Sequence, residues 1–413
     1  QDSDMIAKQK GTPTSSGTNS PNRNRPIEES LALFESMKNG DSKEGELVLR
    51  AKIDMSHPNM LMRDPIIYRV IDKPHQRTQN KWRIYPMYDW AHGQCDYIEQ
   101  ISHSLCSLEF RPHRDLYEWF LTTIKSQCNA LEHKTVPKQR EFARLNLSYT
   151  IMSKRKLFSL VEQNHVSGWD DPRMPTISGL RRRGYTPNSI KNFISKVGVA
   201  KRDNVIDVSL LEFCVREDLN MSSTRAMAVL NPVLLKIVNY PENKEEELFF
   251  VDNPESKEPN TRPLTFNSEL YIEKEDFSAD PPLGFKRLSI GSEVRLKSGY
   301  IVKATHVETD SSGNLTTIYC EYDPKSLSGS GSIESQRKVN TTIHWVCKKT
   351  SVNAEVREYE RLFTSPSPDS DPNVPFESFI NNKSLLTKTA FVEPFLLSAK
   401  PGNKFQFQRL GYF

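Results

Sequence analysis

The hydrophobic pattern of the chain changes its period near residue 223, and this change limits the architectures that the chain can adopt. From 155 to 222 the apolar residues recur at helical spacing, as in KRKLFSLVEQ, PNSIKNFISKVG and SLLEFCVREDL. After 223 they alternate in short runs: GYIVKATHVET and LTTIYCEYD flank the turn DSSGN, and PLTFNSELYIE, TTIHWVC and KFQFQRLGYF are similar. The sequence therefore predicts a helical segment followed by one or two β-barrels or sandwiches.

The first 150 residues mix both periods. A polar, Pro- and Asn-containing stretch up to residue 26 predicts a loop, and Pro26 and Gly40 bracket a helix. GELVLRAKIDM alternates like a half-buried strand, whereas SHSLCSLEF is an apolar run suited to a buried strand. DLYEWFLTTI suits a packed helix. The chain thus predicts a multidomain protein with an α/β part before an all-β part.

Composition excludes several classes of protein. No run of ~18 apolar residues occurs in the 413-residue chain, so no transmembrane helix is expected. The six cysteines form no C-x-x-C pair, which argues against a zinc ribbon or a disulfide framework and favours reduced thiols in the cytoplasm. A net charge of +4 indicates a nucleic-acid partner only if the charge is clustered. Because the chain starts QDSDMIAKQK, we expect that translation began upstream.

The segment YTIMSKRKL, residues 149–157, is the sharpest candidate for chemistry. A lysine after Met-Ser at the end of an apolar strand suits a mobile phosphate-binding loop. Its ammonium can follow negative charge as that charge builds on a leaving pyrophosphate. An ordinary basic turn that opens a helix is the alternative.

Two further segments carry polar groups. In RIYPMYDWAHGQCD, residues 83–96, Tyr88, His92 and two aspartates fall within nine positions and could bind a small polar ligand. Structural hydrogen bonding is the alternative for each of them. In SGLRRRGYTPNSIKNF, residues 178–193, three adjacent arginines suit either phosphate contact or a solvated helix end.

Taken together and in this order, these stretches resemble the glutaminyl-tRNA synthetases. FARLNLSYTIMSKRKL, GWDDPRMPTISGLRRRGYT, NKWRIYPMYDWAH and KFQFQRLGYF are among the matching segments, which span nearly all of the chain. The resemblance implies the C-terminal half of a class I Rossmann catalytic core with an acceptor-binding insertion, a helical subdomain and two anticodon-binding β-barrels. The implied boundaries are 1–87 for the insertion, 88–154 for the Rossmann half, 155–222 for the helical subdomain, 223–270 with 355–413 for the proximal barrel, and 271–354 for the distal barrel.

The resemblance also implies an activity. ATP and glutamine would form glutaminyl-adenylate, and the acyl group would then pass to the terminal adenosine of tRNA(Gln). Mg²⁺ would accompany the ATP phosphates without a protein ligand that the sequence can identify. A cytoplasmic monomer is implied, with no membrane partner.

Site residues are carried over position by position. The implied catalytic residues are Lys154 and Ser153. The implied ATP-binding residues are Ser107, Arg144, Leu145, Met152, Ser153 and Lys154. The implied glutamine-binding residues are Tyr88, His92, Ser104, Cys106, Phe110 and Gln139. The implied tRNA-binding residues are Lys201, Asp207, Arg225, Arg287, Arg295, Gln406 and Arg409. At one of these, Asp207, the side chain is one methylene shorter than the usual glutamate.

One expected motif is absent. Class I synthetases carry an H-x-G-H motif, and none of the nine histidines belongs to one. We therefore expect residue 1 to fall inside the acceptor-binding insertion, with the first part of the catalytic fold outside this chain.

Two alternatives remain open at this point. A glutamyl-tRNA synthetase of the archaeal or eukaryotic type shares the architecture, but those relatives resemble an arginine-bearing version at Cys106, where this chain has a neutral thiol. An unpaired substrate carboxylate there would cost several kcal/mol, which favours glutamine. A non-catalytic tRNA-binding fragment is the second alternative, since the H-x-G-H half is missing.

Overall fold

A computed structural model describes residues 3–128 and 135–413; Gln1, Asp2 and the segment 129–134, with His133, lie outside the described residues. The chain divides into two compact units. The N-terminal unit comprises Gln1–Leu145 and Val199–Asn204, and the C-terminal unit comprises Asn146–Gly198 and Val205–Phe413.

Helices are concentrated before residue 223. The α-helices of the described residues are α1 (Ser3–Lys10), α2 (Ile27–Asn39), α3 (Tyr88–Ile98), α4 (Arg114–Gln127), α5 (Lys154–Glu162), α6 (Ile177–Arg182), α7 (Pro187–Val197), α8 (Val208–Ser222) and α9 (Ile333–Gln336).

Strands dominate after residue 223. The strands of the described residues are β1 (Val48–Arg50), β2 (Ile66–Val70), β3 (Ile84–Pro86), β4 (His103–Ser107), β5 (Lys138–Phe142), β6 (Leu145–Leu147), β7 (Asn204–Ile206), β8 (Thr224–Ala226), β9 (Ala228–Val229), β10 (Pro232–Ile237), β11 (Glu246–Val251), β12 (Thr261–Phe266), β13 (Glu269–Glu273), β14 (Phe277–Ser278), β15 (Leu288–Ser289), β16 (Glu293–Leu296), β17 (Ile301–Thr309), β18 (Leu315–Tyr322), β19 (Thr342–Ile343), β20 (Val346–Cys347), β21 (Val352–Tyr359), β22 (Leu385–Val392), β23 (Phe405–Phe407) and β24 (Gly411–Tyr412).

The N-terminal unit pairs β1, β2 and β3 as an antiparallel sheet and β4 with β5 in parallel. Strand β1 is shorter than the alternation of GELVLRAKIDM predicts. The reason is Asp64, whose backbone has a left-handed φ of 40° and whose Oδ1 accepts the Ile53 amide at 2.8 Å. This hydrogen bond draws the chain out of the sheet after Arg50, where the register shifts.

The prediction of a buried strand in SHSLCSLEF is correct for the strand and wrong for its burial. Strand β4 lies in a two-stranded sheet, and Leu105 is 66% exposed. A two-stranded sheet covers too little area to bury both faces of a strand. The predicted helix in DLYEWFLTTI is confirmed as α4, whose Leu116 and Phe120 pack against Met62 and Ala51.

The helix between Pro26 and Gly40 is confirmed as α2, with Gly40 at its C-terminal end in the left-handed region at φ 90°. Its apolar face is less buried than the pattern predicts. Met37 is buried, whereas Ile27 and Leu31 are largely exposed.

The C-terminal unit contains a seven-stranded sheet in the order β19-β16-β17-β18-β10-β13-β20. The predicted hairpin around DSSGN is confirmed as the antiparallel pair β17 and β18. The core of this sheet includes Trp345 and Phe266, both fully buried. This one sheet therefore contains strands from both sides of residue 270, where the resemblance places the boundary between the proximal and distal barrels.

Two smaller sheets bring distant segments together. One has the order β21-β22-β9 and the other β24-β23-β8. Residues 224–229 contribute β8 to one sheet and β9 to the other, so the chain changes sheets at Met227. The parallel pairing of β8 with β23 joins segments about 180 residues apart, placing Arg225 opposite Gln406.

The segment GWDDPRMPTI, residues 168–177, forms a turn that is held by one carboxylate. Asp171 is buried and accepts hydrogen bonds from the Ser167 amide at 2.9 Å and from Arg173 Nε at 2.9 Å and Nη2 at 2.8 Å. Burial raises the pKa of this carboxyl, but the hydrogen bonds from Arg173 and Ser167 outweigh burial and hold the pKa below its ordinary value. Arg173 also donates to Ser384 Oγ at 2.9 Å, which links the turn to the strand-rich part.

We expect Asp171→Asn to lower the free energy of unfolding by ~3 kcal/mol, because it removes the charge that compensates the buried Arg173. Denaturant unfolding of the chain and the variant measures this loss. Asp170→Asn is the matched control: Asp170 pairs with Arg182 at the surface, at 3.1 Å, and its loss should cost less than ~1 kcal/mol. Equal losses in both variants would show that Asp171 does not hold the turn.

Candidate active site and nucleic-acid interface

Helix α3 begins with a cluster of rings in the N-terminal unit. Tyr88 and His92 lie one turn apart, and their rings stack with centroids 5.0 Å apart. The ring of Phe110 lies 5.0 Å from that of Tyr88. Phe110 belongs to the 3-10 turn Leu108–His113, which is tied to α3 because His113 Nδ1 contacts Asp89 Oδ1 at 2.7 Å. Three of the predicted glutamine-binding residues are therefore adjacent.

Asp96 organises the polar side of this cluster. Its Oδ2 accepts the Ser104 hydroxyl at 2.5 Å and the Tyr117 hydroxyl at 3.1 Å, and it lies 3.2 Å from His92 Nε2. Gly93 allows the approach of α4, since a Cβ there would lie 3.2 Å from the Tyr117 ring. Ser104 gives its only proton to Asp96, so its 3.0 Å contact with His92 requires His92 to donate from Nε2. When the imidazole carries a single proton, that proton lies on Nε2 and Nδ1 keeps an acceptor lone pair.

The parallel strands β4 and β5 carry the remaining glutamine-site candidates. Cys106 on β4 is the register partner of Glu141 on β5, two residues beyond Gln139. Buried Gln139 donates from Nε2 to the Phe110 carbonyl at 2.9 Å and to Glu141 Oε1 at 2.8 Å. Arg114 donates from Nε to Glu141 Oε1 at 3.0 Å and also pairs through Nη2 with Oε2. The sequence analysis missed Glu141 and Arg114, and their spacing of 27 residues gave no signal.

The charge state of this cluster follows from these contacts. The hydrogen bond from Arg114 lowers the pKa of Glu141 to about 2, so the pair is ionised at neutral pH. Burial raises the pKa of the Cys106 thiol, and Glu141 raises it further, so Cys106 is a neutral thiol. Burial also raises the pKa of Tyr88, which keeps its hydroxyl proton. The Tyr88 hydroxyl and the Cys106 thiol are therefore both uncharged, and Arg114 neutralises the Glu141 carboxylate near Cys106.

The predicted ATP-binding residues fall in both units. Ser107 ends β4, and the Ser107 hydroxyl lowers the pKa of Glu109 through a hydrogen bond. The positive charge of exposed Arg144 also lowers the pKa of Glu109. Leu145 is the last residue of the N-terminal unit's main segment, and Met152, Ser153 and Lys154 lie in the C-terminal unit.

The segment with Ser153 and Lys154 lines a cavity of about 590 Å³ in the C-terminal unit. Its other lining residues are Arg155, Lys156 and Phe158. Helix α5 starts at Lys154, so three cations occupy its first turn and no carboxylate does. Positive charge opposes the helix dipole at this end, whereas an anion would be stabilised there. The cations at the start of α5 therefore make the lining of this cavity attractive to anions.

The predicted tRNA-binding residues do not share one environment. Lys201 is exposed in the N-terminal unit. Asp207 caps α8, where its Oδ1 accepts the Ser209 amide at 2.9 Å, and these hydrogen bonds lower its pKa. Arg295 is held by the carbonyls of Ser326 and Ser335, each at 2.8 Å.

Four predicted tRNA-binding residues are connected in two pairs, Arg225 with Gln406 and Arg287 with Arg409. Gln406 lies opposite Arg225 in the parallel β8–β23 pair. Arg225 is only 3% exposed and donates to the carbonyls of Ser223 at 2.8 Å and Asn220 at 2.9 Å. Arg409 and Arg287 both approach Asp276, at 2.7 Å and 3.5 Å.

Comparisons with known proteins match this arrangement in order. Residues 1–221 match the catalytic domain of class I tRNA synthetases (E and Q), and residues 223–323 and 342–413 match two anticodon-binding domains of the same family. The chain is 50% identical over 405 residues to the glutamine–tRNA ligase of Rhodopirellula baltica, covering 98% of this chain and 66% of that protein. It is 49% identical over 410 residues to the glutamine–tRNA ligase of Vibrio cholerae, covering 99% of this chain and 72% of that protein.

The chain is a member of the class I tRNA synthetases for glutamate and glutamine. The resemblance to glutaminyl-tRNA synthetases is confirmed, and the chain spans about two thirds of the length of these relatives. This synthetase chain contains, within its described residues, no helix long and apolar enough to cross a membrane. Within the same residues, no group of three or more His, Cys, Asp or Glu side chains is arranged to hold a metal ion.

Sequence reasoning overlooked Asp276, the carboxylate that holds one of the synthetase's candidate residues, Arg409. Asp276 lies 133 residues from Arg409, and no sequence pattern connects them. Asp96 did carry a signal, since its i, i+4 spacing from His92 on a helix brings the two side chains together.

Proposed function

We propose that the whole protein to which this chain belongs attaches glutamine to tRNA(Gln) in an ATP-dependent reaction through glutaminyl-adenylate. The observation that carries the choice of glutamine is that Tyr88 and Cys106 are both uncharged in a chain of this family. Arg114, the cation that acts on Cys106, is paired with Glu141, so it offers no free charge to a glutamate carboxylate. A cytoplasmic monomer belongs to the same proposal, as do the Rossmann half, the two barrels and the domain boundaries given above.

The amide of glutamine requires acceptors for its two N–H groups. The hydroxyl oxygen of Tyr88 supplies one, and in the tautomer protonated on Nε2 His92 would offer Nδ1 as a second acceptor in the same cluster. Ser104 and Asp96 fix the His92 tautomer, so they act on the substrate through His92. Gln139 and Phe110 hold the wall beside Tyr88 through the hydrogen bond between the Gln139 amide and the Phe110 carbonyl.

The residues at the start of α5 supply positive charge for the phosphates. Adenylate formation places growing negative charge on pyrophosphate as it leaves, and Lys154 has the reach and charge to stabilise it. Mg²⁺, if carried in on ATP, would lie on the phosphates. Ser153 and Met152 set the position of the Lys154 backbone, whereas Ser107, Arg144 and Leu145 would contact the rest of ATP.

The strand-rich region from 223 to 413 would bind the anticodon arm. Arg225 and Gln406 are neighbours in one sheet, and Arg409 follows Gln406 after a short turn. Gln406 and Arg409 suit the reading of one base edge. Arg225 is buried and its guanidinium donates to the Ser223 and Asn220 carbonyls, so it supports the strand beside Gln406 and does not itself present donors to a base. Arg287, Arg295, Asp207 and Lys201 would be further contacts.

We expect Lys154→Ala to slow adenylate formation by ~10²-fold or more while glutamine affinity changes little, because the lost charge acts mainly in the transition state. Pyrophosphate exchange measures this in a protein that supplies the H-x-G-H half together with this chain. Lys196→Ala is the control, since Lys196 pairs with Glu217 at 3.7 Å and does not line the cavity. A near-normal exchange rate for Lys154→Ala would remove it from the mechanism.

The selectivity for glutamine is tested at Cys106. In the same protein, Cys106→Arg should raise kcat/KM for glutamate relative to glutamine, because it adds the cation that a carboxylate needs. Tyr88→Phe should instead lower glutamine use without helping glutamate, since it removes an acceptor and adds no charge. An unchanged ratio in Cys106→Arg would place the selectivity elsewhere.

Base reading is tested at Arg409. Arg409→Ala should weaken the discrimination between cognate and anticodon-changed tRNA by ~1–3 kcal/mol, whereas Lys325→Ala, at an exposed position, should alter only the salt dependence. Binding of the chain to both transcripts measures the difference. Equal weakening on both RNAs would exclude base reading by Arg409.

A further inference from the structure

Asp276 is a buried carboxylate between two arginines of the predicted anticodon site. Its side chain is 1% exposed and lies in the 3-10 turn Lys274–Asp276, directly after β13. Arg409 donates from Nη1 to Oδ2 and from Nη2 to Oδ1, both at 2.7 Å. Arg287 Nη1 lies 3.5 Å from Oδ1 and donates to the Glu275 carbonyl at 3.1 Å. Asp276 therefore binds the end of one guanidinium with both oxygens and contacts a second.

This geometry leaves a defined set of donors on Arg409. A guanidinium has five N–H groups in one plane, and an end-on carboxylate uses two of them. The Nε–H and the outer N–H of the adjacent Nη remain as a parallel pair along the side of the group. Such a pair matches two acceptors on the edge of a base. The carboxylate also prevents the guanidinium plane from rotating, so the direction of this pair is fixed.

The backbone conformation of Arg409 determines where its guanidinium lies. Arg409 has φ 67°, in the left-handed region that a non-glycine residue seldom occupies, and it follows β23 in a turn closed by Leu410 N to Phe407 O at 3.0 Å. Gln406 on β23 faces Arg225. The ion pair with Asp276 is an interaction that offsets the cost of this backbone conformation.

We propose that Asp276 is a positioning residue for anticodon reading, which orients Arg409 through two hydrogen bonds and does not itself contact RNA. This inference rests on the proposed function, in which Arg409 reads a base. It adds that selectivity depends on a buried residue far from Arg409 in sequence. It also adds that Asp276 compensates the charge of Arg409. Arg409 therefore contributes to binding by directing hydrogen bonds to a base more than by attracting RNA phosphates.

The test compares the chain with Asp276→Asn. The amide keeps the shape but turns a donor toward an Nη of Arg409, so the guanidinium must reorient. We expect the ratio of Kd values for anticodon-changed and cognate tRNA transcripts to fall ~10-fold or more. Affinity for the changed transcript should stay the same or rise, because a negative charge near the RNA is lost. Glu275→Gln is the matched control: it removes a charge one residue away, on an exposed side chain that binds Asn231, and should leave the ratio unchanged.

Each outcome has a separate meaning. If Arg409→Ala keeps the ratio, base reading by Arg409 is wrong and the proposed function fails at this point. If Arg409→Ala lowers the ratio and Asp276→Asn does not, the positioning role is wrong while base reading stands. A loss of affinity for both transcripts together with a lower Tm would show that Asp276 is merely structural and would overturn the inference.

Two additional variants keep the inference testable if Asp276→Asn does not fold. Asp276→Glu retains the charge but moves the oxygens by one methylene, so the ratio should fall to an intermediate value; a wild-type ratio would contradict the inference. Arg409→Lys retains the ion pair without the fork and should behave like Arg409→Ala. In the double variant Asp276→Asn with Arg409→Ala, the ratio should equal that of Arg409→Ala alone, and additive losses would show that the two residues act independently.

Discussion

The buried ion pair between Arg262 and Glu393 holds the C-terminal unit together at the point where the chain passes from one sheet to another. Glu393 accepts the Met227 amide at 2.6 Å and Arg262 Nε at 2.9 Å. Arg262 Nη2 donates to the Arg225 carbonyl at 2.7 Å. A chain that leaves one ladder for another exposes backbone groups that neither sheet can satisfy, and a buried unsatisfied group is costly. Here charged side chains supply the missing partners.

The surroundings of Arg262 explain why a charge is tolerated in this position. Its guanidinium lies 4.0 Å from the ring centre of Phe395 and 4.9 Å from that of Phe250, so two aromatic rings contact the cation. Asp252 also pairs with Arg262, and its carbonyl accepts the Arg225 amide at 2.6 Å. The backbone of Arg225 is consequently fixed at both its N–H and its C=O. The parallel pairing of β8 with β23, and thus the neighbourhood of Gln406 and Arg409, depends on this anchor.

The sequence was most informative where the signal is local. Helices α2, α4, α5, α7 and α8 and the β17–β18 hairpin follow from periodicity and end signals within about fifteen residues of sequence. Burial was predicted less well, because Leu105 and Leu31 are exposed although their patterns are apolar. Burial depends on what packs over an element, and a pattern within the element does not contain that information. The same limit applies to the candidate sites. Tyr88 and Lys154 were candidates from their own segments and took their specific roles from the resemblance, while Glu141, Arg114 and Asp276 became visible only through long-range contacts.

Three departures from local rules lie at the candidate sites. Helix α5 opens with three cations and no carboxylate, and the Ser153 side chain makes no capping hydrogen bond. Tyr88 is half exposed at the start of α3 although its ring stacks on that of His92 and contacts that of Phe110. Arg409 adopts a left-handed backbone conformation without being glycine. None of these features stabilises the fold, and each one presents a charged or hydrogen-bonding group at a surface. Stability and function therefore make opposite demands at such residues, and at Arg409 the buried carboxylate of Asp276 reconciles them by holding the guanidinium with two hydrogen bonds.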